Sequence, residues 1–173
     1  SSSTSITLLF GDSLMSALLA KQKFTKERFK IYHPGGTIGK TLLLVKDIML
    51  KGNKIPIINF KTNIIGAVKI ISKKNLGIGI IVKNKNVIGI VTDGDIRRGT
   101  KNYSKKTKIT ALMSKRPFYI GENTSAAKAL SVMNDRKITS LIVSSDLDYK
   151  KRRAIFRPKG ILHIHSLLKY GMK

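Results

Sequence analysis

Gly89-Ile90-Val91-Thr92-Asp93-Gly94-Asp95-Ile96-Arg97-Arg98 is the stretch whose reading decides the fold. A short apolar strand runs into Asp93-Gly94-Asp95 and a helix opens behind it, so the segment reads as a strand-turn-helix junction. The two aspartates and the glycine are expected to supply the turn and the helix N-cap, because a carboxylate accepts the unpaired amides of a first helical turn. A phosphate or a ribose would also suit this place. Thr92 offers a hydroxyl at the strand end, Asp95 offers an acceptor for a sugar diol, and the helix start adds the positive end of a dipole. Such junctions are equally plain architecture, and only the surrounding chain separates the two readings.

Working outward, the chain repeats itself. The first copy begins Asp47-Ile48-Met49 and continues through Ile55-Pro56-Ile57-Ile58, a helix over about 63–74, strands at 79–82 and 87–91, and the capped helix. The second begins Ala111-Leu112-Met113 and continues through Pro117-Phe118-Tyr119-Ile120, a helix over about 125–136, strands at 140–143 and 160–162, and a last helix over about 166–170. The copies differ between their paired strands, where the first needs only 83–86 and the second has 144–159, including Lys150-Lys151-Arg152-Arg153. That insertion is expected to be a long basic hairpin loop, solvated or locally mobile. Each copy makes a small sheet with helices, and two such units need each other to bury both faces.

Bulk properties narrow the function classes. The 173 residues, 42% hydrophobic, are enough for a packed core. There is no cysteine, which removes disulfides and Cys-based metal sites, and three histidines leave few metal options. His163 and His165 are expected to alternate in an extended stretch, which would aim them at opposite faces and argues against chelation. The net charge of +25, from 34 Lys+Arg against 9 Asp+Glu, is spread along the chain among Ile and Asn, as in 51–61 and 101–108. A bias of composition explains that pattern as well as a nucleic-acid surface does, and no zinc-finger, stacking or recognition-helix motif accompanies it. No specific nucleic-acid partner is expected. The longest apolar runs, 78–82 and 87–91, are too short for a bilayer and no leader-like segment opens the chain, so a cytoplasmic protein without a membrane partner is expected.

Ahead of the repeat, residues 1–10 are read as a strand or a helix start. Gly11-Asp12 is expected to cap a helix whose apolar face is Leu14, Met15, Leu18 and Leu19, with Lys21 to Lys23 at its end. A short helix is expected over 26–30, starting at Thr25. Tyr32-His33-Pro34-Gly35-Gly36-Thr37-Ile38-Gly39-Lys40 reads as a defined loop, on which His33 is placed either for proton transfer or as a structural cap. The chain opens on Ser1 rather than Met, with an apolar segment directly behind, as the interior of a larger domain would.

Two β-α-β-β-α units, closed by Gly-Ile-Val-Thr-Asp-Gly-Asp-Ile-Arg-Arg and by Gly-Ile-Leu-His-Ile-His-Ser-Leu-Leu, resemble a tandem pair of CBS domains. The preceding Gly11-Asp12-Ser-Leu-Met-Ser-Ala-Leu-Leu and His33-Pro-Gly-Gly-Thr-Ile-Gly-Lys resemble the end of a sugar isomerase (SIS) domain. Together they look like the C-terminal portion of the bacterial D-arabinose 5-phosphate isomerases. The resemblance implies an α/β (α+β) fold with pseudo-twofold symmetry: residues 1–45 as the remnant of the isomerase domain and linker, 46–104 as the first CBS domain and 105–173 as the second.

For the whole family protein, the resemblance implies interconversion of D-ribulose 5-phosphate and D-arabinose 5-phosphate on the route to an octulosonate sugar of lipopolysaccharide. The sugar phosphate is the substrate, no redox cofactor is needed, and His33 is the one active-site residue that carries over. The family's other active-site residues lie upstream of this chain, which is therefore not expected to catalyse unaided. For the CBS pair, the resemblance implies an adenine nucleotide or a nucleotide-sugar as effector in the cleft between repeats, with Thr92, Asp93, Asp95 and His163 as the expected contacts. At the second junction His163 and Ser166 stand where the first has Thr92 and Asp95, so only one site keeps the carboxylate. No metal site is expected, and a homo-oligomer is. The alternative is a nucleotide-binding or dimerising CBS module without catalysis.

Overall fold

The computed structural model describes residues 2–22, 43–99, 102–104, 106–151 and 156–172. It divides into two units, 1–42 and 43–173. In the first, α1 (Ser2–Lys21) is one continuous helix with no buried residue. Gly11 therefore lies inside the helix, which corrects the expectation that Gly11-Asp12 begins it. Apolar side chains are distributed all round α1 rather than along one face, and Asp12 and Lys21 are its only charges. It is long and apolar enough to cross a bilayer by length and composition, although no uninterrupted apolar run in the sequence is. His33 and the helix expected over 26–30 lie outside the described residues.

The second unit is two copies of one motif. A helical turn α2 (Val45–Ile48) precedes β1 (Ile57–Asn59), α3 (Ile64–Lys74), β2 (Ile78–Lys83), β3 (Asn86–Thr92) and α4 (Asp93–Gly99). The second copy has β4 (Tyr119–Gly121), α5 (Ala126–Arg136), β5 (Ser140–Ser144), an additional α6 (Asp146–Lys150), β6 (Gly160–His163) and α7 (Ile164–Lys169). Each copy is a three-stranded mixed sheet in which the first strand runs parallel to the second and the second antiparallel to the third.

Local chemistry repeats with the topology. Asn63 and Ser125 cap α3 and α5 through side-chain oxygens, and Asn75 and Lys137 end them in the left-handed conformation at φ 52° and 51°. Ile57 pairs with Ile80 as Tyr119 pairs with Ile142, so the two sheets share a register.

The leading segments are exchanged. Val45 and Lys46, which open the first copy, donate backbone hydrogen bonds to Thr124 and Glu122 of the second, and Leu50 exchanges two with Ile161. Reciprocally, Ile109 donates to Thr62 and Ser114 exchanges two with Ile90. Leu43, Val45 and Ile48 consequently sit in a core with Ile120, Met133, Leu141 and Leu162. Ile109, Leu112 and Met113 pack with Ile58, Ile71 and Val91. A third cluster, including Ile55, Ile80, Val87, Ile142 and Ile161, joins the copies.

The insertion is folded where it is described, contrary to the mobile hairpin loop expected. Ser145 and Asp148 form a reciprocal cap at the start of α6. Asp146 accepts from the backbone and side-chain amides of Asn123, and the latter bond holds its carboxyl below the ordinary 3.8 against slight burial. Phe156 is buried against Tyr119, ring centroids 4.8 Å apart, and its carbonyl accepts from Val87 N–H.

The exchanged segments pass close over two glycines. A Cβ on Gly160 would stand 2.5 Å from Met49 Sδ and 2.9 Å from the Leu50 carbonyl oxygen; on Gly89 it would stand 2.7 Å from the Ser114 carbonyl oxygen and 3.0 Å from Met113 Sδ. Gly89→Ala and Gly160→Ala are each expected to destabilise the pair by about 1–3 kcal/mol through overpacking, read as a lowered urea midpoint with the slope unchanged.

Candidate functional site: the cleft at the Thr92 junction

Strand β3 ends at Thr92, and Thr92 itself caps α4. Its hydroxyl accepts from Asp95 N–H at 3.3 Å, while Asp95 Oδ2 accepts from Thr92 N–H at 2.9 Å and from the Thr92 hydroxyl at 2.7 Å. This is a reciprocal capping box. The expectation that Asp93-Gly94-Asp95 forms a turn before the helix is corrected, because the helix starts at Asp93 directly behind the strand. The other oxygen of Asp95 accepts from Arg98 at 2.6 Å. Partial burial raises the Asp95 pKa, but the Thr92 hydroxyl and amide and the Arg98 guanidinium outweigh it and hold the carboxyl below its ordinary 3.8. Ionised, Oδ2 has both lone pairs taken by Thr92, and Oδ1, which accepts only from Arg98, keeps one for a ligand hydroxyl.

Thr92 opens onto a cavity of about 220 Å³ between the copies. Ile78, Ile90 and Phe118 give it apolar walls, and Lys137, Thr139 and Ser140 of the second copy give it polar ones. The Arg136 guanidinium lies 5.3 Å from the centre of the Phe118 ring, a distance at which cation and ring attract. Ser140 Oγ is buried without a hydrogen-bond partner. An unmet buried hydroxyl costs about 1–3 kcal/mol.

Of the residues picked from sequence, only Thr92 lines this cavity, and Asp95 is fastened directly to it. Asp93 is exposed and turned toward Gly77, whose carbonyl accepts its N–H at 3.0 Å. His163 occupies the matching strand end of the other copy, where it caps α7: Nδ1 accepts from His165 N–H at 3.2 Å. Helix α7 begins at Ile164, so the two histidines do not point to opposite faces as an extended strand would require. Their rings stack at 4.8 Å with an interplanar angle of 12°. Burial, then the neighbouring His165, pushes the His163 pKa below 6.5. Among the described residues no group of three or more metal-ligating side chains gathers. Lys137, Thr139 and Ser140 escaped the sequence reading. Their one signal is a polar cluster between the end of a helix and an apolar strand.

The model of the CBS domain matches residues 45–101 and 109–173, and the chain belongs to that family. Beyond the family, it is 40% identical to the arabinose 5-phosphate isomerase KdsD of Francisella tularensis over 99% of its own length and 51% of the relative's. It is 37% identical to the Escherichia coli K12 KdsD over 99% of this chain and 51% of that one. An uncharacterized Rickettsia prowazekii protein, RP505, is 37% identical over 98% and 51%. The chain thus spans about half the length of the curated relatives it matches. Among solved structures, the CBS domain pair of protein MJ0100 in complex with 5-methylthioadenosine and S-adenosyl-L-methionine aligns with a TM-score of 0.61 at 23% identity, covering 74% of this chain and 94% of that one. CBSX2 in complex with AMP aligns with a TM-score of 0.61 at 17% identity, covering 75% and 96%. At these identities the likeness is one of fold, and the tandem CBS architecture expected from the repeat is the one found.

Two consequences of the caps are measurable. Asp95→Ala removes the acceptor for Thr92 N–H and is expected to cost about 1 kcal/mol of unfolding free energy. For His163, a folded pKa below the unfolded one makes the unfolded chain bind more protons as the medium acidifies. Its contribution is therefore fully present above about 6.5 and declines as pH falls through that value toward the folded pKa. The urea midpoint is expected to fall between about pH 7 and about pH 5.5, and to fall less in His163→Asn, which keeps a capping oxygen.

Proposed function

We propose that residues 43–173 form the ligand-sensing module of an arabinose 5-phosphate isomerase, with an adenine nucleotide or nucleotide-sugar as effector in the Thr92 cleft. The observation that carries the ligand part is the cavity itself. It brings Thr92 of the first copy together with Lys137, Thr139 and Ser140 of the second, between apolar walls suited to a flat base. In this reading Lys137 attracts the phosphate, Thr92 and Ser140 hydrogen-bond to the ligand, and Asp95 accepts from a ribose hydroxyl through the one lone pair left on Oδ1. That CBSX2 is known with AMP, and the MJ0100 pair with two adenosine compounds, supports the choice of adenine ligands.

The isomerase part rests on the 36–40% identity to KdsD proteins across 99% of the chain. Its chemistry, moving a proton between C1 and C2 of a sugar phosphate without a redox cofactor, requires a base beside the substrate and donors that polarise the carbonyl. His33 is the candidate contribution from this chain, with the remaining machinery in the half of the relatives that the chain does not span. A cytoplasmic homo-oligomer is the setting proposed for it. If the cleft is the effector site, calorimetric titration of this chain with AMP gives saturable heat that Thr92→Ala and Ser140→Val each weaken roughly tenfold. Absence of heat with AMP, CMP and a cytidine nucleotide-sugar would leave the pair a dimerising module. Joined to the half of the Francisella relative it lacks, the chain is expected to interconvert the two pentose phosphates, and His33→Ala to lower kcat by about a hundredfold or more; unchanged turnover would remove His33 from catalysis.

A further inference from the structure

A second and larger cavity, of about 560 Å³, lies away from Thr92 at the far end of the first sheet. Ile57, Asn59 and Val82 come from its strands, Phe60 and Lys61 from the turn after β1, and Lys85 from the β2–β3 hairpin. The Nζ atoms of Lys61 and Lys83 stand 5.8 and 5.4 Å from the Phe60 ring centre. No acidic side chain is among its described lining residues.

The internal repeat shows what such a surface accommodates. By the shared register, Ile57, Asn59 and Val82 correspond to Tyr119, Gly121 and Ser144. The turns correspond too: Phe60 N–H bonds to the Val82 carbonyl as Glu122 N–H bonds to that of Ser144. In the second copy this surface is covered by α6. The Tyr149 ring meets Tyr119 edge-on at 6.1 Å, and Asp146 takes the amides of Asn123, the counterpart of Lys61. Gly121 admits the helix closely, since a Cβ there would lie 2.7 Å from Asp146 Oδ1. In the first copy the hairpin is only Asn84-Lys85, and Ile57 and Asn59 remain exposed.

We propose that this surface, open among the described residues except where Pro158 of the second copy lines it, docks a short acidic segment bearing an aromatic ring, supplied by another polypeptide. The pose of α6 gives the template: a ring over Ile57 where Tyr149 lies over Tyr119, and carboxylates toward Lys61 and Lys85 where Asp146 lies toward Asn123. Exchanging Asn123 for Lys61 turns an amide contact into a charge-assisted one. Asn59, in place of Gly121, holds the incoming backbone further out. Its Oδ1 already accepts from Lys61 N–H at 2.9 Å, so the NH2 is the group it would offer an incoming segment, as a donor. The chain has 9 Asp+Glu in all, and α6 already holds two of them on the other copy. None of the described lining residues is acidic, so in this proposal the carboxylates come from the partner.

The test is a titration of the 15N-labelled chain with the acetylated, amidated peptide Ser-Ser-Asp-Leu-Asp-Tyr, the sequence of residues 144–149. Saturable shifts are expected at the amides of Phe60, Lys61 and Lys85, with binding roughly tenfold weaker in Lys61→Glu/Lys85→Gly and lost with Asn in place of both peptide aspartates. Lys85→Gly suits the positive φ of 66° at that position, so the hairpin is kept. Shifts confined to Tyr119 and Gly121, no shifts, or equal affinity in the double variant would each overturn the proposal. So would an oligouridylate of equal charge that shifts the same amides at lower concentration, which would make the surface a nucleic-acid site.

Discussion

The reciprocal crossing of the two leading segments is the constraint on which the rest of the second unit depends. Leu50 bonds to Ile161 and Ser114 to Ile90 in matching antiparallel bridges. Each sheet thereby closes its core with side chains that the sequence places in the other copy. Leu43, Val45 and Ile48 would be exposed on the first copy alone, and the core around Ile120 and Leu162 would be open without them. Burial of apolar surface then favours only the paired state. The Thr92 cavity follows, because its walls come from both copies and their spacing is fixed by the same bridges.

Much of this was legible in the residues. The helices expected over 63–74 and 125–136 are found as α3 and α5, and the Gly-Ile-Val and Gly-Ile-Leu runs are the closing strands. The exchange was not, since periodicity says which face of an element is buried and nothing about which neighbour buries it. Thr92-x-x-Asp95 and Ser145-x-x-Asp148 both carry the capping-box spacing. Reading the aspartates of the first as a turn displaced its helix start by two residues. In the second, the charge run that follows hid a helix whose Tyr149 and Asp146 are its contacts with β4. Ser140 was invisible as a site residue because its isolation is tertiary: a hydroxyl at a strand start is ordinary until the surrounding groups fail to meet it.

Symmetry of backbone does not carry over to chemistry. At matching strand ends one copy has Thr92 locked with an ionised Asp95, the other a neutral-leaning His163 stacked on His165. At matching sheet ends one copy has lysines around an open surface and the other a docked acidic helix. Duplication supplied two equivalent scaffolds, and divergence at a few side chains gives each end a different electrostatic character.

The crossing also orders events during synthesis. Leu50 leaves the ribosome long before its hydrogen-bonding partner Ile161. Until then the apolar side chains of the leading segment have no core of their own, and closing so long a loop comes at an entropic cost before any contact repays it. A nascent chain stopped before β6 would display both an unfilled sheet and an unburied Val45-Ile48 turn. Such a species is prone to capture by a second nascent copy, which offers the same complementary strands in trans.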